Sequence, residues 1–176
     1  MPKYAAFLRG INVGGKNKIK METLRAALNA VGYKNVKTYI NSGNAVFETD
    51  EAERRALARQ IEAMIEKEFA LLIKVMVRSA EEIAEIVANN PFAGQFENDK
   101  DLHVLFLDQS LSAEKKTILL SNNSESEMYA VREREIYCLL RKSILDSLIG
   151  KDYLGKKLKV SATGRNWRTV NKILEI

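Results

Sequence analysis

Residues 4–8 form an unbroken apolar run, the length of a buried strand. After a polar stretch, Met21, Leu24, Leu28 and Val31 recur at three- and four-residue spacing, and Gly32 follows. That pattern predicts an amphipathic helix closed by a glycine cap. Two β-rich runs, 36–40 and 45–47, flank Asn41-Ser42-Gly43-Asn44 and predict a hairpin. Leu57, Ile61, Met64, Ile65 and Phe69 share one face of a helix over 51–69, and 72–77 returns as a strand. The order so far is βαββαβ. A short helix over 80–89 follows, stopped by Asn89-Asn90-Pro91.

Residues 91–101 read as a connection, and the order then restarts. A strand over 102–107 precedes a helix over 112–120, and strands over 128–131 and 136–140 enclose the turn Arg132-Glu133-Arg134-Glu135. A helix over 143–149 and a short strand over 157–160 are expected next. The chain should close with a helix starting near Asn166, with Trp167, Val170, Ile173 and Leu174 on one side and Arg165, Arg168 and Lys172 on the other. Two antiparallel hairpins place the chain in the α+β class. Its domains are read as 1–90, a connection at 91–101, and a related α+β half at 102–176.

Composition removes several function classes. No apolar run approaches the roughly 20 residues that span a bilayer, and the N-terminus lacks the pattern of a secretory signal, so a cytoplasmic location and no membrane partner are expected. One cysteine, Cys138, and one histidine, His103, give neither an internal disulfide nor a zinc set. No metal or other cofactor is expected. The net charge of +5 is unevenly placed: residues 9–20 carry +4 and residues 151–172 carry +6, which leaves the rest of the chain at −5. Two basic segments on an acidic body steer anions, although lysine-rich loops are also commonly just solvated.

The basic stretch at 9–20 is rich in glycine as well as in cations. Gly10, Gly14 and Gly15 let the backbone take positive φ and expose N–H groups, while Arg9, Lys16, Lys18 and Lys20 favour an anion. Residues 10–16 match the phosphate-loop spacing G-x-x-x-x-G-K, but Asn17 stands where magnesium binding needs Ser or Thr. The expected hairpin also replaces the parallel crossover of nucleotide hydrolases. Ser42 and Cys138 would each need a base to act as nucleophiles, and His103 is the sole histidine. Core packing is the simpler role for Cys138 and a strand edge for His103.

Asn41-Ser42-Gly43-Asn44 is satisfied by turn chemistry, and the same amides and hydroxyl can also hydrogen-bond a base or sugar. In a βαββαβ unit, the loop after the first strand and the central hairpin are expected at opposite ends of the sheet. A sheet of this kind serves as a single-strand platform when aromatics on its central strands stack bases, and Tyr39 and Phe7 are the candidates. A small phosphorylated ligand gripped by Arg9, Asn12, Lys16 and backbone N–H groups is the competing class.

Leu8-Arg9-Gly10-Ile11-Asn12-Val13-Gly14-Gly15, Tyr39-Ile40-Asn41-Ser42-Gly43-Asn44 and Arg165-Asn166-Trp167-Arg168-Thr169-Val170 together resemble a bacterial domain-of-unknown-function family, the one numbered sixteen ninety-seven. The resemblance runs end to end. It implies a cytoplasmic protein of two related ferredoxin-like halves and carries no reaction. The expected function is therefore anion binding, with nucleic acid favoured over a phosphorylated small molecule handled by an enzyme or sensor. The candidate ligand contacts are Arg9, Gly10, Asn12, Gly14, Gly15, Lys16, Lys18, Asn41, Ser42, Asn44, Arg165, Asn166 and Arg168. No catalytic residue is assigned.

Overall fold

Strand β1 (Lys3–Leu8) is apolar on both faces because it is the inner strand of a sheet that is covered on both. The computed structural model describes residues 1–176 and comprises two units, residues 1–85 with 172–176, and residues 86–171. In the first unit β1 is followed by α1 (Met21–Val31), β2 (Lys34–Tyr39), β3 (Asn44–Glu48), α2 (Arg54–Phe69) and β4 (Val75–Ser79). The sheet order is β2-β3-β1-β4, with every pair antiparallel. Tyr4, Ala6 and Leu8 point to one face and meet Leu24 and Leu28 of α1 and Leu57, Ile61 and Ile65 of α2. Gly32 ends α1 at φ +113°, and its N–H and that of Tyr33 close the last turn on the Asn29 and Leu28 carbonyls at 3.0 and 3.3 Å.

The opposite face of this sheet carries Ala5, Phe7 and Val46, all buried. The chain's own last residues come to it: Ile173 and Leu174 line a small cavity with Ala5, Val46 and Ile83, and Lys37 Nζ donates to the Ile176 carbonyl at 3.1 Å.

Helix α3 (Ala80–Ala88) follows β4 and leads to the second unit. That unit holds β5 (Leu102–Leu107), α4 (Ala113–Leu120), β6 (Glu127–Arg132), β7 (Glu135–Leu140), α5 (Tyr153–Lys156) and β8 (Ala162–Asn166), with α6 (Trp167–Glu175) beginning in it. Its order, β6-β7-β5-β8, repeats the first, again antiparallel throughout. The register repeats as well, since Ala5 lies opposite Arg78 and Val104 opposite Arg165. The protein is thus α+β, two four-stranded antiparallel sheets with interleaved helices and a C-terminal helix. No helix is long and apolar enough to cross a membrane.

Two expectations about the second unit fail. Residues 143–149 form only a 3₁₀ turn at Ile144–Asp146, because the Ser147 hydroxyl donates to the Ile144 carbonyl at 2.6 Å and accepts from Gly150 N–H at 3.2 Å, competing with the helical pattern. The last strand is not 157–160 but Ala162–Asn166, a polar, glycine-containing segment recognisable only by its pairing with β5.

Candidate functional site

The loop at 9–20 leaves β1 with both neighbours already attached. Leu8 N–H donates to the Gly43 carbonyl at 2.9 Å, and Arg9 N–H to the Lys74 carbonyl at 3.0 Å. Ile11 and Ile19 then turn inward and join the first core at 1% and 3% exposure, each contributing about 1.5–3 kcal/mol by burial. Between them the chain makes a miniature hairpin. Val13 and Lys16 pair across Gly14 and Gly15, whose φ values of +58° and +74° form the mirror-image turn that only such residues hold cheaply. Lys16 N–H closes it on the Val13 carbonyl at 3.0 Å, and Asn12 N–H meets the Asn17 carbonyl at 3.1 Å. Lys16, Lys18 and Lys20 are exposed. No protein atom lies within 4 Å of where a Cβ would stand on Gly10, Gly14 or Gly15, so these glycines serve conformation and leave their outer surface open.

Asn12 is the brace of this arrangement. Its side-chain oxygen accepts from Ile19 N–H at 2.9 Å, and its Nδ2 donates to the Ile19 carbonyl at 2.9 Å and to the Asn41 carbonyl at 2.8 Å. The loop and the β2–β3 turn are therefore one structure at one end of the sheet, contrary to their expected separation. The physical reason is the antiparallel pairing of β1 with β3, which sets Asn44 at the start of β3 opposite Phe7 near the end of β1. Gly43 seals the junction. A Cβ there would lie 2.7 Å from Ile11 Cδ1 and 2.9 Å from Leu8 Cβ, at a φ of +90°.

The remaining candidates divide. Asn41 is exposed and Ser42 half-buried, while Asn44 is fully buried and donates from Nδ2 to the Tyr39 carbonyl at 2.9 Å and to Ser42 Oγ at 3.1 Å. Asn44 holds the turn. Arg165 lies in β8 rather than on the basic side of the last helix. It is 7% exposed, and its Nη1 donates to Thr163 Oγ1 and to the Gly164 carbonyl, both at 2.8 Å. Burial lowers its pKa to about 10. Asn166 caps α6 by accepting from Thr169 N–H at 3.0 Å, and Arg168 is exposed. Lys172 pairs with Glu175 at 2.9 Å.

Phe7 is completely buried and so unavailable to stack a base, while Tyr39, on the edge strand β2, is half-buried. The phosphate-loop reading fails on topology, because β1 is antiparallel to both of its neighbours. His103 and Cys138 are cross-strand partners on β5 and β7, a proximity the sequence does not display. Cys138 is nonetheless fully buried, which pushes its thiol up to about 12 and keeps it protonated and unreactive at neutral pH. Burial also lowers the His103 pKa.

Sequence reasoning missed a buried carboxylate in the second unit. Burial would push the Glu127 carboxyl up, but Lys142 Nζ at 2.7 Å, the Tyr129 hydroxyl and Leu148 N–H at 2.7 Å outweigh it and hold it below the ordinary range. Those bonds fasten β6 to the segment that follows β7, and the alternation of residues 127–132 carries no sign of them. Also missed were Val13 and Ile40, apolar side chains that remain exposed beside the Asn12–Asn41 bond.

The structure is similar to that of the conserved bacterial protein SP0830 from Streptococcus pneumoniae, with a TM-score of 0.79 and 26% sequence identity over 99% of this chain and 97% of the other. No curated protein matches the chain significantly. The two motifs that meet at Asn12 and Asn41 fall within the part of the chain matched by a family model, whereas 165–170 lies beyond it. With residues 1–137 matched, the chain belongs to the family described as protein of unknown function DUF1697.

Proposed function

We propose that the protein is a cytoplasmic anion-binding module that holds the phosphates of a nucleic acid on the loop at 9–20. The observation that carries this reading is the braced turn, in which Lys16, Lys18 and Lys20 are exposed on a segment with no acidic residue from 9 to 20. Lys20 adds to it. It occupies the cap position of α1, makes no side-chain cap bond there, and sets a cation at the helix end that prefers negative charge. A ligand phosphate would offset that cost. The proposed contacts are Arg9, Lys16, Lys18, Lys20, Asn41 and Ser42, with Gly10, Gly14 and Gly15 allowing close backbone approach.

The test is fluorescence polarisation with labelled DNA and RNA at two salt concentrations. Lys16→Ala with Lys18→Ala should weaken binding and flatten the log–log salt slope by about 0.7–0.9 per lost phosphate contact, with stability unchanged within about 0.5 kcal/mol. A slope identical to that of the parent protein would remove the loop from the site. The alternative, a small phosphorylated ligand of an enzyme or sensor, is favoured by the open glycine backbone at Gly14 and Gly15. It predicts thermal stabilisation by one compact phosphate compound and no dependence on polymer length.

A further inference from the structure

We infer that the nucleic acid taken by this loop is an unpaired strand, and that Val13 and Ile40 form an apolar lip for its base and sugar faces while the lysines hold its phosphates. This rests on the reading of the loop given above. Of the apolar side chains in and beside the loop, Ile11 and Ile19 are buried, whereas Val13 is 65% and Ile40 49% exposed. Both exposed residues adjoin the Asn12–Asn41 bond, Val13 following Asn12 and Ile40 preceding Asn41. Val13 is also the bridge partner of Lys16, so an apolar surface and a cation are paired at the tip of the hairpin.

Ile40 is held at φ +51°, a left-handed conformation that β-branched residues strongly disfavour. Asn or Gly would hold the same turn at less cost. An exposed residue in a conformation its own side chain opposes contributes little to the fold, and such strain gathers where a surface contacts something else. Charge complementarity selects what that is. Lys16, Lys18 and Lys20 are exposed on a segment without an acidic residue and call for phosphates, yet a duplex presents phosphates outward and hides its base faces, leaving an aliphatic lip nothing to cover. An unpaired strand presents both. Aliphatic contact with base faces acts through burial and dispersion, so the preference is for strandedness over sequence.

The experiment uses the full chain with a labelled oligonucleotide of about 12 nucleotides, single-stranded and as the duplex, at two salt concentrations. The single strand should bind more tightly. Val13→Ser with Ile40→Asn should lower single-strand affinity about tenfold while the salt slope is kept and the melting temperature is unchanged or raised. Single-strand binding equal to that of the parent protein, or equal binding of duplex and single strand, overturns the lip and leaves the basic loop standing. No binding of either polymer overturns both. Binding to vesicles containing about 30% phosphatidylserine, lost in the double variant, also overturns the inference by making the lip a membrane contact.

Discussion

The link from β1 to α1 takes twelve residues, 9–20, and the corresponding link from β5 to α4 takes five, 108–112. The strands on either side pair in the same register in both units. The shorter link also finishes simply, with Ser112 capping α4 by accepting from Lys115 N–H at 3.2 Å. Strand-to-helix geometry is thus satisfied by five residues, and the additional seven in the first unit serve something else. The arginines teach the reverse lesson. Arg78 and Arg165 occupy equivalent positions in β4 and β8, both are buried, and each donates from Nη1 to the carbonyl of the residue before it. Each is followed by a capping side chain, Ser79 for Glu82 N–H and Asn166 for Thr169 N–H. A feature present in both units belongs to the fold, and one present in a single unit is the better candidate for function.

The largest effect should come from breaking the shared feature. Arg165→Ala is expected to cost about 3 kcal/mol in urea unfolding, and Arg78→Ala a similar amount, because buried acceptors lose a charged donor. Unchanged stability together with lost nucleic-acid binding in Arg165→Ala would place that residue in a site after all. Next in size, Gly43→Ala should cost about 2 kcal/mol, since its new methyl meets the Leu8 Cβ at an unfavourable φ. Gly164→Ala in the second unit meets only the flexible end of Leu105, at 2.9 Å, and should cost less than about 1 kcal/mol by thermal unfolding.

Asn12→Ala removes three hydrogen bonds and should cost about 1–2 kcal/mol while weakening phosphate binding at an unchanged salt slope, whereas Ser112→Ala should cost about 1 kcal/mol and leave binding intact. Titration curves for the two variants distinguish these outcomes.

Near neutral pH the smallest change is expected. Burial holds Tyr33 and Tyr137 at about 12 and Cys138 also at about 12, all above their unfolded values of 10.0, 10.0 and 9.0. Each keeps its proton in the folded state longer than in the unfolded one. Their contribution is complete below pH 9 and is lost progressively as pH rises towards 12. Circular dichroism across that range should show stability flat from pH 7 to 9 and falling above it.

Much of the fold was legible where local chemistry agrees with packing. Gly32 marks the end of α1, and the apolar run at β5 marks a strand whose bounds match the expectation. Strand β8 was not legible because Thr163, Gly164 and Arg165 carry no apolar alternation, and Arg165 reads as one more cation until its burial is seen. The loop at 9–20 announced itself through composition, but its union with the 40–43 turn did not. That union depends on which ends of β1 and β3 meet, a matter of strand direction rather than residue type. Ile40 escaped for a related reason, since it ends the β-rich run 36–40 and reads as strand, while Val13, between Asn12 and Gly14, carries no local sign of its exposure.

The bond from Asn12 to the Asn41 carbonyl joins residues 29 apart in sequence. A synthetic peptide of residues 9–20 would contain all four cations and lack the carbonyl against which the hairpin is braced. During synthesis the charges emerge first and acquire their spacing only after α1 and the β2–β3 turn have followed and β3 has paired with β1. The cation cluster is a local fact of the chain, but its geometry is a late product of assembly, so a nascent or unfolded chain would meet a polyanion only as a loose basic tail.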